Sequence, residues 1–90
     1  MSFTVENVID GDTFEVSPNW KWNGQSGNRV RIANLDAPEL EQTGGQAAKK
    51  KLSALILGKT VDLKNAVDIS YGRLVCDVYL NGKNILPILQ

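Results

Sequence analysis

Residues 3–16, FTVENVIDGDTFEV, carry the alternation from which the fold is read. Phe3, Val5 and then Val8-Ile9 have the spacing of a first strand, and Asp10-Gly11 is the turn signal that ends it. From Thr13 to Val16 the alternation resumes, which predicts a second strand. Pro18 interrupts that strand, and Trp20-Lys21-Trp22 continues it as one arm of a hairpin. The run from Asn23 to Asn28 is a dense turn signal. A third strand is expected over Arg29–Leu35, with Val30 and Ile32 on one face and Arg31 on the other.

Ala37-Pro38 then closes the strand into a loop, and Thr43 stands where a helix N-cap belongs. Ala48, Leu52, Leu55 and Ile56 form one apolar stripe, predicting a helix that runs to about Leu57 with Gly58 just past its end. Lys49, Lys50 and Lys51 read as a solvated helix face, with a phosphate track as the alternative. Thr60–Lys64 is the fourth expected strand, with Val61 and Leu63 inward. Arg73–Leu80 is the fifth, with Leu74, Cys76, Val78 and Leu80 on one side, and Asn81-Gly82 is a type I′ hairpin signal after it. The expected architecture is α+β and mainly β: a five-stranded OB-type Greek-key barrel with one helix between the third and fourth strands. The apolar tail Ile85–Gln90 predicts the first turn of a truncated C-terminal helix, with Pro87 tolerated near its start. It packs on the barrel, pairs with a second copy to make a homodimer, or leads into further chain.

Ninety residues predict one small domain over 1–90. No stretch approaches the ~20 apolar residues that span a bilayer, so no membrane partner is expected. Strand-like patterning begins at Phe3, so the chain reads as cytoplasmic, or as secreted with a leader removed. Cys76 is alone in an apolar alternation and is expected to be a buried structural thiol, and the absence of histidine excludes imidazole acid–base chemistry. Ten basic and ten acidic residues give zero net charge, which argues against long-range steering onto a polyanion.

Only three arginines occur, and Arg31 and Arg73 stand out: a planar fork that grips anionic oxygens bidentately requires arginine. Arg31 sits in a strand among apolar residues, where a guanidinium needs partners. Asp10 and Asp12 flank a turn glycine, a place where acids also serve local hydrogen bonding. Three blocks now stand in order: Asp10-Gly11-Asp12-Thr13, then Arg31 with Asp36-Ala37-Pro38-Glu39, then Tyr71-Gly72-Arg73. Together they resemble the staphylococcal nuclease-like (thermonuclease) family, whose signature runs DGDT, R-x4-D-x-P-E and YGR. The resemblance extends from Val5 to about Leu89.

That resemblance implies a calcium-dependent phosphodiester hydrolase cutting DNA and RNA with little sequence preference and releasing 3′-phosphate ends. It implies Asp12, Asp36 and the Ala37 carbonyl as Ca²⁺ ligands, which as hard oxygen donors suit that ion. It implies Glu39 as general base, Arg31 and Arg73 as phosphate clamps, and Thr13 as a supporting group. Tyr71 is expected beside the substrate. Trp20 and Trp22, two apart, read either as a base-stacking platform or as ordinary hairpin packing. Ala37 stands where the best-known member has threonine, Ile69 where members often carry an acid, and Ser70 where some have a basic residue. Members usually continue for two more helices. The alternative is a non-catalytic OB module that binds nucleic acid or protein.

Overall fold

Period-two apolar patterning sets which side of each strand faces inward, and it does so along almost the whole chain. The computed structural model describes residues 2–90. In order, the elements are β1 (Ser2–Val8), β2 (Thr13–Trp22), β3 (Gln25–Ile32), α1 (Gly45–Ile56), β4 (Thr60–Ser70), β5 (Arg73–Leu80), β6 (Lys83–Asn84) and α2 (Leu86–Leu89). The strands lie in the order β3-β2-β1-β4-β5-β6, and β3 also pairs with β5. That extra pairing closes five strands into a barrel, which removes the open edges of the sheet. It is parallel, matching Arg29 with Arg73, Val30 with Leu74 and Ile32 with Cys76, whereas every other pairing is antiparallel. The OB-type barrel is the expected one.

Phe14, Val30, Ile32, Val61, Cys76 and Val78 fill the interior, each at most 1% exposed. Leu52 and Ile56 of α1 are fully buried and join this core, while Ala48 and Leu55 on the same stripe are half-buried. Gly58 follows the helix with φ 77°, as expected of the residue past a helix end. Burial pushes the Cys76 thiol up to about 12, with the nearby Asp77 charge adding to it.

Three elements differ from expectation in their boundaries. The first is the second hairpin: Asn23 and Gly24 alone make its turn, both with positive φ (51° and 77°), so β3 begins at Gln25 rather than Arg29. It also ends at Ile32 rather than Leu35. Gly27 faces Trp20 across this ladder, and a Cβ there would come within 2.8 Å of the indole ring. The glycine that signals a turn in sequence thus makes room for an aromatic ring in a strand. Pro18 does not break β2 but sits where its pairing with β3 is irregular, between Glu15 and Trp20.

The second difference lies in α1, which starts at Gly45 behind a left-handed Gly44 (φ 86°) without a side-chain cap, so Thr43 is not the N-cap. Tight turns through Gln42 occupy this approach: Gln42 N–H donates to the Glu39 carbonyl and Gly45 N–H to the Gln42 carbonyl. Third, β4 runs on to Ser70 instead of stopping at Lys64. A register shift between Lys64 and Asp68, with Asn65 at φ 55°, lets the strand bend and continue. Its Nδ2 donates to Asp77 at 2.9 Å across the bulge. Of the outcomes open to the tail, packing on the barrel is seen: Ile85 is fully buried and its N–H donates to Val78 O at 3.0 Å, whereas Ile88 stays half exposed. Leu86–Leu89 forms the single expected turn with Pro87 at its start. Among the described residues no helix is long and apolar enough to cross a membrane.

Truncating Leu52 to Ala should cost about 2–5 kcal/mol in urea unfolding, because both its transfer energy and the cavity count against the fold. The raised thiol gives a pH prediction. The unfolded Cys76 ionises near 9.0 while the folded one holds its proton to about 12, so its contribution to stability is complete below 9 and declines between those values. Cys76→Ala should remove that part of the alkaline decline, and a thiol reagent should label native Cys76 only as fast as the protein unfolds.

Candidate nuclease-like site

The loop between β1 and β2 is tied at its base by the Thr13 carbonyl, which accepts from Ile9 and Asp10 N–H. Asp10 Oδ1 accepts from Asp12 N–H at 3.1 Å, so the first acid folds the turn that presents the second. Gly11 lies at the crossing of three segments. A Cβ there would sit 2.6 Å from Ala48 Cβ on α1 and 2.8 Å from Ala37 Cβ. Three small residues therefore let this turn, the loop after β3 and the helix approach closely, drawing Asp12 toward Asp36 and Ala37.

Asp12 is buried and held from several sides. Its Oδ1 accepts from the Thr13 hydroxyl at 2.9 Å, and its Oδ2 lies 3.4 Å from both Arg31 Nη2 and Ala37 N–H. Arg31 also donates from Nη1 to the Ile32 carbonyl at 2.8 Å. Arg73 is braced by its Nε on the Ser70 carbonyl at 3.1 Å and its Nη1 on Thr13 Oγ1 at 3.3 Å. The Thr13 hydroxyl thus bridges Asp12 and Arg73. Arg29, by contrast, pairs on the surface with Glu15.

These groups surround a hollow of about 430 Å³, lined by Asp12, Arg31, Asp36, Ala37, Glu39 and Arg73, with Asp10 and Gln42 completing the wall. The positions singled out from the three sequence blocks thus meet in one place. Tyr71 is 94% exposed with its ring 5.8 Å from the Arg73 guanidinium, beside the hollow without lining it. Trp20 and Trp22 are elsewhere. They line a separate apolar hollow, and Trp20 is 2% exposed with its indole N–H donating to the Arg29 carbonyl at 2.7 Å. A buried, hydrogen-bonded ring offers no face for a base, so hairpin packing accounts for Trp20. Gln42 escaped sequence reading altogether. Its only signal was a polar residue three positions after Glu39.

Two acids of the site hold protons more tightly than usual. Burial raises Asp10 above the ordinary aspartate range, aided by the neighbouring Asp12 carboxylate and partly offset by backbone N–H donors. Glu39 is fully exposed, and its carboxyl is raised chiefly by Glu41, through a shared hydrogen bond and then like charge, with smaller contributions from Asp10 and Asp12. Asp10, Asp12, Asp36 and Glu39 line the hollow, and carboxylate oxygen is the donor type a hard cation such as Ca²⁺ takes. Among the described residues no three or more Asp, Glu, His or Cys side chains are grouped so as to hold a metal ion.

Against known proteins, the staphylococcal nuclease homologue family model matches residues 29–89. An uncharacterized endonuclease of Escherichia coli O157:H7 is 37% identical over 82 residues, which is 90% of this chain and 50% of that protein. A micrococcal nuclease of Shigella flexneri is 35% identical over 75 residues, 83% of this chain and 40% of that protein. The staphylococcal-like nuclease CAN1 of Arabidopsis thaliana is 31% identical over 61 residues, covering 68% of this chain and 19% of that protein. The fold belongs to the class of nuclease-like OB barrels. The chain is a member of the staphylococcal nuclease homologue family, and it spans half or less of the length of these relatives.

The Glu39 shift has a direct test. With Glu41→Gln, measured without divalent metal, the Glu39 carboxyl carbon should titrate at lower pH by NMR, because its main like-charged neighbour is gone. An unmoved midpoint would assign the shift to Asp10 and Asp12 instead.

Proposed function

We propose that this barrel is a phosphodiester hydrolase acting on nucleic acid, and specifically a calcium-dependent nuclease that cuts DNA and RNA with little sequence preference. The observation carrying this reading is the shared hollow lined by two braced guanidiniums, Arg31 and Arg73, together with Asp10, Asp12, Asp36 and the exposed Glu39. Phosphodiester hydrolysis needs positioning, neutralisation of charge on the phosphate oxygens, and a water relieved of its proton. Arg31 and Arg73 meet the second need. Each spends part of its donor set on protein oxygens, which fixes the fork, and retains N–H groups for phosphate. Because both forks are oriented beforehand, little reorganisation is required as charge builds in the transition state.

Glu39 takes the proton. It is exposed to water, has no ion pair to a cation among the described residues, and its raised proton affinity brings it nearer the operating pH than an ordinary glutamate. Asp12, Asp36 and the Ala37 carbonyl would hold Ca²⁺, and the cation would supply charge neutralisation to the phosphate and acidify nearby water. Carboxylates and guanidiniums that engage the sugar–phosphate backbone give position without sequence readout, which supports broad specificity. The relatives' names, endonuclease and micrococcal nuclease, support the class. A second reading is a non-catalytic OB module that binds nucleic acid or protein; zero net charge favours its protein-binding form, which needs no basic footprint.

Single-stranded DNA and RNA incubated with the protein decide between them. Cleavage should require Ca²⁺ and stop in chelator. Glu39→Gln should lower kcat by about 100- to 10,000-fold, and Arg73→Ala should lower it by about 100- to 1,000-fold. Binding with no cleavage in either condition would support the module and end the nuclease reading.

A further inference from the structure

We propose that Gln42 is the positioning residue of Glu39, a latch that holds the segment bearing the general base against the start of α1. The inference rests on the assignment of Glu39 as base. Gln42 grips Glu39 through both backbone groups at once. Its side-chain Oε1 accepts from Glu39 N–H at 2.9 Å, and its own N–H donates to the Glu39 carbonyl at 2.9 Å. One residue thus closes a two-point ring on the peptide units either side of the Glu39 Cα.

The latch is anchored to the fold. Gly45 N–H donates to the Gln42 carbonyl at 3.0 Å, linking it to the first residue of α1. Gly45 is buried, and a Cβ there would collide with the Glu39 carbonyl, so the helix start is pressed directly on the base's own peptide. Further along, α1 is fixed in the core by Leu52 and Ile56. The chain of support therefore runs from the barrel core through α1 and Gln42 to Glu39.

An exposed loop glutamate needs this support. Among the described residues its carboxylate has no cationic partner to orient it, and misplacing a proton acceptor by about 1 Å can cost a hundredfold in rate. Gln42 lines the same hollow as Glu39, so losing its side-chain bond would loosen the loop at the site itself. Its exposure makes it replaceable without disturbing the core.

The test uses Gln42→Met, which keeps length and removes the acceptor, and Gln42→Glu, which keeps an acceptor oxygen. In Gln42→Met, kcat should fall about ten- to a hundredfold while KM stays within about twofold. Amide hydrogen exchange at Glu39 should rise about tenfold or more in the same variant, reflecting the lost hydrogen bond. Gln42→Glu should restore slow exchange and most of kcat. In a Glu39→Gln background, Gln42→Met should leave the residual rate within about twofold, since no base remains to be positioned. An unchanged Glu39 exchange rate, an unchanged kcat, or an equal loss in the Glu39→Gln background would each overturn the latch. Should Glu39→Gln itself leave kcat intact, the base assignment fails and the latch with it, a result distinct from the other three.

Discussion

The parallel pairing of β3 with β5 is the constraint on which the site depends. All other neighbouring strands are antiparallel, and hairpins or short loops make many of those pairings nearly automatic. The β3–β5 ladder instead joins Arg29–Ile32 to Arg73–Cys76, across α1 and β4. Its inner face buries Val30, Ile32, Leu74 and Cys76, and its outer face carries Arg31 and Arg73. Burial of the first set therefore sets the separation of the second. A one-residue slip would turn the arginines inward and the aliphatics outward, which the core would not tolerate.

On that frame the loops contribute the opposite charge. The Asp10–Asp12 turn, the Asp36–Glu39 loop and α1 meet where Gly11, Ala37 and Ala48 are too small to hold them apart. The carboxylates then crowd, and the two arginines offset them. Asp12 is the shared partner, touching Arg31 directly and Arg73 through the Thr13 hydroxyl. A chain with zero net charge thus assembles a locally charged hollow, with its binding power confined to short range.

Sequence reading reached the strands whose two faces differ most. Arg73–Leu80 was legible to the residue because Leu74, Cys76 and Val78 alternate without a break. The charged residues of the hollow were legible too, since arginine in an apolar strand and acids around a glycine turn are unusual enough to stand out. Asn23 to Asn28 misled because Gly27 is punctuation in sequence and a seat for Trp20 in space. Lys64 likewise read as a strand end, although irregular pairing carries β4 past it, as it carries β2 past Pro18.

By itself, then, the order of residues determined the strand faces, the barrel class, the buried state of Cys76 and which side chains were available for chemistry. Each of these follows from local periodicity or from the chemistry of a residue type. Tertiary structure alone decided that the acids and guanidiniums share one hollow, that Trp20 is shut away from it, and that Gln42 rather than a cap at Thr43 organises the approach to α1. Those outcomes depend on contacts between segments far apart in the chain or on backbone turns. No pattern along a single strand or helix encodes them.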